Sequence, residues 1–241
     1  GWDHIDVRAA VARGIVVARC PMARRDAVAE HAVAALTLLL HRQPAFDEAA
    51  RAGRWARAEL PALDPLLVAD ATVAIVGFGV IGRRVAALLG PTGARIVAVD
   101  PAGAAPGVEA VGIDEAVARA DAVTLHCALT EQTRGLFDAA RIGTMRPGAV
   151  LVNTARGALV DVDAAVAAVR AERLRGVHLD VFPQEPWPGL AEIAAVPGVW
   201  TAPHAAGYAR GLGPKVAREV ADALAAWVEG QPVPHAVTAP G

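Results

Sequence analysis

The stretch Thr72-Val73-Ala74-Ile75-Val76-Gly77-Phe78-Gly79-Val80-Ile81-Gly82 decides the fold of this chain. Its opening apolar, β-branched run reads as a strand buried on both faces, as in a parallel sheet. Three glycines follow at G-x-G-x-x-G spacing, and Arg83 to Leu89 have the apolar spacing of a helix. In such a unit Gly77 permits the tight turn from strand to helix. Gly79 lets the backbone approach a pyrophosphate, and Gly82 lets helix and strand pack closely. The free amides and partial positive charge of the helix start then favour the anion. A second apolar run, Arg95-Ile96-Val97-Ala98-Val99, ends in Asp100, eighteen residues after Gly82. A carboxylate there is placed to accept hydrogen bonds from adenosine ribose hydroxyls, which favours NAD over its 2′-phosphorylated relative.

The bulk properties agree with this unit. At 241 residues there is room for one large α/β domain, or for one such domain and a small lobe. Composition is 54% hydrophobic but only 4% aromatic, with much alanine, which suits helices packed on a parallel sheet and excludes a disordered chain. A formal charge of −2 gives no electrostatic reason to expect nucleic acid or a membrane surface as partner. Two cysteines, Cys20 and Cys127, cannot build a disulfide framework or a metal cluster, so a reducing cytoplasm is the expected setting. The apolar stretch Leu36 to Leu40 is bounded by His31 and His41, far short of a membrane span.

Outward from the glycine turn, strands and helices alternate. On the N-terminal side the pattern predicts a short helix over 7–12, a strand over 15–18, and a long helix over 26–42 with Val28, Ala32, Ala35, Leu36 and Leu39 as its apolar stripe. Gln43-Pro44 marks a break before a helix over 46–52, and 54–70 reads as a surface loop. On the C-terminal side strands are predicted over 122–126, 149–153, 176–180 and 199–201. Helices are predicted over 113–119, 138–144, 161–171 and 207–229, with 101–112 as loop and a loose Pro-rich end from Gln231. The alternation points to a doubly wound parallel sheet, the Rossmann arrangement of the α/β class. In open α/β sheets the ligand sits outside the carboxyl ends of the strands. Gly77, Asp100, Cys127, Thr154 to Gly157, Asp180 to Glu185 and His204 all fall there. Three of them form a chemical set: the Arg156 guanidinium, the Glu185 carboxylate and the His204 imidazole. The remaining histidines show no metal-ligand spacing, so no metal site is expected. Arg24, Arg25, Arg83 and Arg84 read as solvated helix faces, and Cys127 as a small buried contact.

With these residues in view, the chain resembles the D-2-hydroxyacid dehydrogenase family. Val152-Asn153-Thr154-Ala155-Arg156-Gly157 is similar to the family's arginine motif. Leu179-Asp180-Val181-Phe182-Pro183-Gln184-Glu185-Pro186 resembles its Asp-and-Glu motif, and Ala202-Pro203-His204-Ala205-Ala206-Gly207 its histidine motif. Gly1-Trp2-Asp3-His4-Ile5-Asp6, Val28-Ala29-Glu30 and Met145-Arg146-Pro147-Gly148-Ala149 fit as well. The resemblance implies NAD-dependent interconversion of a small 2-hydroxy acid and its 2-keto acid, in a homodimer to which the long apolar helix from Ala27 is available. His204 would be the general acid/base and Glu185 its partner, while Arg156 would grip the substrate's carboxylate and carbonyl. Val80 and Ile81 amides would face the pyrophosphate, Cys127 would line the adenine side, and Asp180 would sit at the nicotinamide carboxamide with Thr154 nearby.

Two departures from the family pattern stand out. Family members carry a substrate-binding segment of roughly seventy or more residues before the position of Gly1. The chain is therefore expected to be a truncated form, with 23–207 as the NAD-binding domain and 1–22 and 208–241 as remnants of a flavodoxin-like substrate lobe. Weak turnover is then expected even if NAD binds. Ala128 stands where the family often has proline, a small change in loop stiffness. Formate oxidation is disfavoured, because formate enzymes pair the histidine with glutamine. A nucleotide-sensing, corepressor-like module and an inactive fragment stay open as alternatives.

Overall fold

The computed structural model describes residues 2 and 4–237. Gly1 and Asp3 of the opening motif, and the end of the Pro-rich tail from 238 onward, lie outside the described residues. In chain order the elements are α1 (Val7–Ala12), α2 (Pro21–Leu40), α3 (Gln43–Arg51), α4 (Leu60–Leu63), β1 (Thr72–Val76), α5 (Val80–Leu89), β2 (Arg95–Val99) and β3 (Glu109–Ala110). They continue with α6 (Ile113–Arg119), β4 (Ala122–Leu125), α7 (Ala139–Thr144), β5 (Ala149–Asn153), α8 (Val162–Arg170), β6 (Leu174–Leu179), α9 (Leu190–Ala194), β7 (Val199–Thr201) and α10 (Leu212–Val228).

The seven strands among the described residues pair in parallel, in the order β3-β2-β1-β4-β5-β6-β7. The expected doubly wound α/β sheet is therefore present. Strand side chains alternate between two apolar layers. Ala74 and Val76 of β1 join Val123, Leu125 and Leu151 in one layer, under α6, α7 and α8. Val73 and Ile75 join Val150 and Val152 in the other, with Leu36, Leu39 and Leu40 of α2 and Val85 and Leu89 of α5. Burial on both faces is why β1, β4 and β5 read as near-continuous apolar runs rather than alternating ones, although β4 also buries Thr124. Ala32, Ala35, Leu36 and Leu39 of the predicted α2 stripe lie inside this second layer, and Val28 is buried beside the cleft at the strand ends. The stripe is thus buried within the chain. The run of small residues Ala29, Ala32 and Ala35, each at most 1% exposed, lets α2 lie close against α5. Asp26 tightens the contact by accepting from Arg84 Nε at 2.9 Å.

Local differences from the sequence reading have simple causes. Ile15 to Val17 form no strand, and only Ala18 pairs, in an antiparallel bridge to Ala236. An apolar run with a single partner residue cannot build a ladder. The long helix begins five residues earlier than predicted, at Pro21, because proline suits a first helical position and the Met22 and Ala23 amides are capped by the Glu219 carboxylate, 3.1 and 2.8 Å away. That cap comes from 196 residues downstream and leaves no local signal. The 54–70 connection holds short helical turns, and the 101–112 loop contains β3, whose two residues add to the edge of the sheet beside Val97 and Ala98.

One buried pair on this scaffold links stability to pH. His178 on β6 is 1% exposed, and its Nε2 lies 2.8 Å from Nε2 of His31 on α2, so a single proton serves the contact. Burial, reinforced by the charge of His31, holds His178 at a pKa of about 3. The folded chain therefore stays neutral there while the unfolded chain takes up a proton below about pH 6.5. Stability is full above that value and falls as the pH drops toward 3. Between pH 6.5 and 5 the loss amounts to about 2 kcal/mol. Urea unfolding of the His178→Gln variant at both values should show a pH dependence flatter by about that amount, and an unchanged slope would remove the histidine as its source.

Candidate active site

The site is built where the sheet order turns back on itself, between β1 and β4. In open sheets of this order the ligand crevice lies at the carboxyl ends of the strands at that point. Gly77, at φ +93°, carries the chain out of β1, and a Cβ on it would lie 2.3 Å from the Cys127 amide nitrogen beyond β4. A Cβ on Gly82 would lie 2.1 Å from the Gly77 carbonyl oxygen, so the first turn of α5 rests directly on the strand end. Gly79 is different: a Cβ there would meet nothing within 4 Å. It faces open space, as a position approached by a phosphate group must. Val80, Ile81 and Gly82 open α5 with first-turn amides that no earlier helical carbonyl can satisfy, and Gly79 offers no side-chain cap. Asp100 ends β2 beside this turn. One of its carboxylate oxygens accepts from the Phe78 amide at 2.7 Å and the other from the Ala102 amide at 2.8 Å. Each oxygen keeps a lone pair for a further donor.

A cleft of about 250 Å³ continues from this turn, lined by Ile81, Cys127, Thr154 and Arg156 among others. Thr154 Oγ1 is buried there with no hydrogen-bond partner, which a ligand polar group would correct. Burial pushes the Cys127 thiol up to about 11, helped by the nearby Asp100 charge, so it is a protonated wall residue at neutral pH. The loop after β5 is shaped by Asn153, fully buried, whose amide donates to the Arg156 carbonyl at 2.8 Å and whose oxygen accepts from the Ala155 amide at 3.1 Å. Gly157 closes the loop against Phe182: a Cβ would fall 1.8 Å from the Phe182 carbonyl carbon, so the arginine loop and the Asp180–Glu185 loop are locked together.

The third part is a carboxylate–imidazole pair. His204 Nδ1 lies 2.7 Å from Glu185 Oε2, and Glu185 Oε1 accepts from the Phe182 amide at 2.9 Å. Partial burial alone would raise the Glu185 pKa. The hydrogen bonds from His204 and Phe182, with the charges of His204 and Arg156, outweigh that and hold it below the usual carboxylate range. With Nδ1 engaged, the other ring nitrogen of His204 is the one left to exchange a proton. The histidine backbone is left-handed at φ +56°, a conformation that costs a non-glycine residue about 1–3 kcal/mol. Asp180 meets that cost. Its carbonyl accepts from the His204 amide at 2.7 Å, and its carboxylate accepts from the Ala205 amide at 2.6 Å and the Ala206 amide at 3.0 Å. Its side chain is fully buried under the loop.

The structure thus gathers Ile81, Cys127, Thr154 and Arg156 around one cleft. His204 and Glu185 pair beside it, and the Arg156 charge is felt at Glu185. Asn153 and the Phe182 amide were not picked out by sequence reasoning, although Asn153 stands inside the quoted arginine motif. Of the four arginines read as solvated faces, Arg24 and Arg83 are exposed as expected, whereas Arg25 and Arg84 are half-buried. Arg25 and Arg84 both bind Asp26, Arg83 lies over the Phe78 ring, and Arg24 lines the cleft. Among the described residues no group of three or more His, Cys, Asp or Glu side chains could hold a metal ion, and no helix is long and apolar enough to cross a membrane.

Comparison with known proteins agrees with this geometry. Residues 33–206 match the model of the D-isomer specific 2-hydroxyacid dehydrogenase NAD binding domain. The whole chain is 34% identical to D-3-phosphoglycerate dehydrogenase of Mycobacterium leprae, of which it covers 46%. It is also 34% identical, over 98% of its length, to glyoxylate reductase of Korarchaeum cryptofilum, of which it covers 73%. The chain spans about half the length of the phosphoglycerate dehydrogenases it matches. The crystal structure of D-lactate dehydrogenase from Aquifex aeolicus, complexed with NAD and lactic acid, superposes on all of this chain and 78% of that one, at a TM-score of 0.87 and 26% identity. By its glycine turn, its arginine and histidine loops and the extent of the match, the chain belongs to the D-isomer specific 2-hydroxyacid dehydrogenase family, and its matched region is that family's NAD-binding domain.

Proposed function

We propose that the chain carries the cofactor site and the acid/base machinery of an NAD-dependent dehydrogenase that interconverts a small 2-hydroxy acid and its 2-keto acid. The observation that carries the reading is the 2.7 Å contact between His204 Nδ1 and Glu185, formed beside a cleft that also contains Arg156. Residues at the strand ends fit a dinucleotide: Gly79 faces open space, the α5 amides of Val80, Ile81 and Gly82 suit the pyrophosphate, and Asp100 has acceptor capacity for the ribose hydroxyls. Cys127 would line the adenine side, and the unpartnered Thr154 hydroxyl suits the nicotinamide end. Asp180 stands behind that end, with its carboxylate already given to Ala205 and Ala206. When bound, NAD(H) supplies or accepts the hydride.

The protein's part is to place the acid and move a proton. Arg156 binds the substrate carboxylate and carbonyl oxygen with its planar fork, fixing which face of the carbonyl is presented. His204 gives its proton to that oxygen during reduction and takes it back during oxidation. Such a transfer contributes ~10²–10⁴-fold in rate. Glu185 stabilises the imidazolium and sets the ring orientation. We assign 23–207 to the cofactor domain and 1–22 with 208–241 to the substrate lobe. The two end segments do meet: the Val237 amide donates to Val17 O at 2.7 Å, next to the Ala18–Ala236 bridge. A homodimer would need a surface other than the stripe of α2. Trp55 and Leu67, 88% and 57% exposed on the connection before β1, are among the exposed apolar side chains available to it.

Three measurements test the reading. Fluorescence titration should show NADH binding to the chain more tightly than NADPH, with Asp100→Ala weakening NADH and narrowing the difference. Unchanged preference would remove Asp100 from the ribose site. His204→Asn should lower kcat for keto-acid reduction by ~10²-fold or more while NADH affinity stays within about twofold. Surviving turnover would sink the acid/base assignment. Arg156→Lys should raise KM for the keto acid, by roughly ten- to a hundredfold, since an ammonium cannot copy the fork. An unaltered KM would make the arginine structural.

A further inference from the structure

Asp180 and Glu185 hold His204 from one side, through three successive amides and through the ring. The residues that follow the histidine are held by a different element, the first turns of α2. Arg24 Nη1 donates to the Gly207 carbonyl at 3.3 Å, and its guanidinium lies 5.4 Å from the Tyr208 ring centre. Gly207 is packed down on the same side chain, since a Cβ there would lie 3.3 Å from Arg24 Nη1 and 3.8 Å from Val28 Cγ2. The Tyr208 amide donates back to the Ala205 carbonyl at 2.8 Å, so one turn connects the residues that Arg24 grips to the residue beside the histidine. α10 then returns to α2, where the Glu219 carboxylate, 14% exposed, accepts from the Met22 and Ala23 amides. The run from Gly207 to Glu219 is thus fastened at both ends to three consecutive residues, Met22, Ala23 and Arg24. Backbone strain makes the fastening matter. The left-handed conformation of His204 persists only where its surroundings over-determine it, and Asp180 supports one side of the loop while Arg24 supports the other.

We propose that Arg24 is a positioning residue for the proton-transferring histidine. By holding Gly207 and Tyr208 against α2 it fixes the downstream half of the histidine loop, and with it the line between the His204 ring and Glu185. The inference rests on the proposed function, since it takes His204 as the acid/base group. Arg24 acts through the Gly207 backbone and the Tyr208 ring, and Glu219 steadies the turn of α2 from which it reaches. The guanidinium suits the task because one edge donates while its face lies towards the aromatic ring, and the two contacts together fix its plane. One hydrogen bond from an exposed side chain adds little to global stability, yet a shift of about 1 Å at a reacting group can lower a rate ~10²-fold.

The tautomer of His204 reads that line directly and needs neither cofactor nor substrate. An ionised carboxylate only accepts, so a neutral ring paired with Glu185 carries its proton on Nδ1. Nitrogen NMR of the ring, read through its carbon-bound protons, reports the ratio of the Nδ1–H to the Nε2–H form, and His204→Asn identifies the signal. In the ligand-free chain the Nδ1–H form should dominate. Arg24→Met, which keeps an apolar stem but removes the donor and the charge, should lower the ratio by roughly threefold or more, with the melting temperature within error. Arg24→Lys should keep most of the wild-type ratio, because an ammonium can still donate to the Gly207 carbonyl. An unchanged ratio in Arg24→Met overturns the proposal, as does an equal loss in Arg24→Lys. A changed ratio that comes with a lowered melting temperature assigns Arg24 to general stability and overturns it too. Weaker NAD⁺ binding at an unchanged ratio gives the arginine to the cofactor instead and has the same consequence. A wild-type ring with the tautomer mixture of free imidazole would mean that the pair itself is absent, and the proposed function would fall with it.

Discussion

The site depends on backbones approaching more closely than side chains allow. At Gly77 the chain leaving β1 runs so near the Cys127 amide that no Cβ fits between them, and Gly82 brings α5 onto the same point. Gly157 repeats the device on the other side, where the arginine loop touches the Phe182 carbonyl group. These contacts are rigid because they join strand ends of a sheet buried on both faces, and large-to-small changes in such cores typically cost about 2–5 kcal/mol. The crevice between them therefore keeps its shape before any ligand arrives, and binding need not spend free energy on forming it.

The histidine loop uses a different device. Three successive amides, of His204, Ala205 and Ala206, converge on Asp180, and that convergence requires one residue of the run to be left-handed. A left-handed residue next to helical or extended neighbours makes the concave array of N–H groups that binds anions. Here the anion is a side chain of the protein. The strain at His204 is thus part of how its ring is aimed. Asp180 is a positioning residue that acts on the imidazole through the backbone, while Glu185 acts on it through the ring.

The parts of this design that are local were legible in the sequence. The strand-turn-helix at Thr72 to Leu89 is, because glycine spacing and an apolar run sit within a dozen residues of one another. The caps of α7 and α8 are, because Asp138 and Asp161 bond amides three residues on. Arg156, Glu185 and His204 could be named from their motifs, but their meeting could not be derived from spacing, since the Glu185–His204 contact joins separate loops across 19 residues. What escaped was non-local. Glu219 caps α2 from the other end of the chain, and β3 exists only because an edge was open beside β2. Arg24 looked like a solvated helix residue because exposure alone does not say whether a side chain faces bulk water or a cleft. The expected strand at 15–18 failed for the converse reason: its β-branched residues favour extended backbone, but only Ala18 finds a bridge partner.

Charge explains why Glu185 is needed beyond orienting a ring. Arg156 and a protonated His204 are two cations near one cleft, and in the absence of a counter-charge each would disfavour the other. Glu185 lies within the influence of both, and its pKa is held down by both. The trio Arg156, Glu185 and imidazolium then carries a net charge of +1, which one substrate carboxylate neutralises. In the proposed reaction His204 gives up its proton and the trio becomes neutral, so its electrostatic hold on the carboxylate is weaker on the hydroxy-acid side. Replacing Glu185 by a neutral amide would keep a hydrogen bond to the ring yet remove the negative charge that faces both the ring and Arg156. A carboxylate at this position favours the imidazolium, which suits the proposed hand-over of a proton to a keto acid.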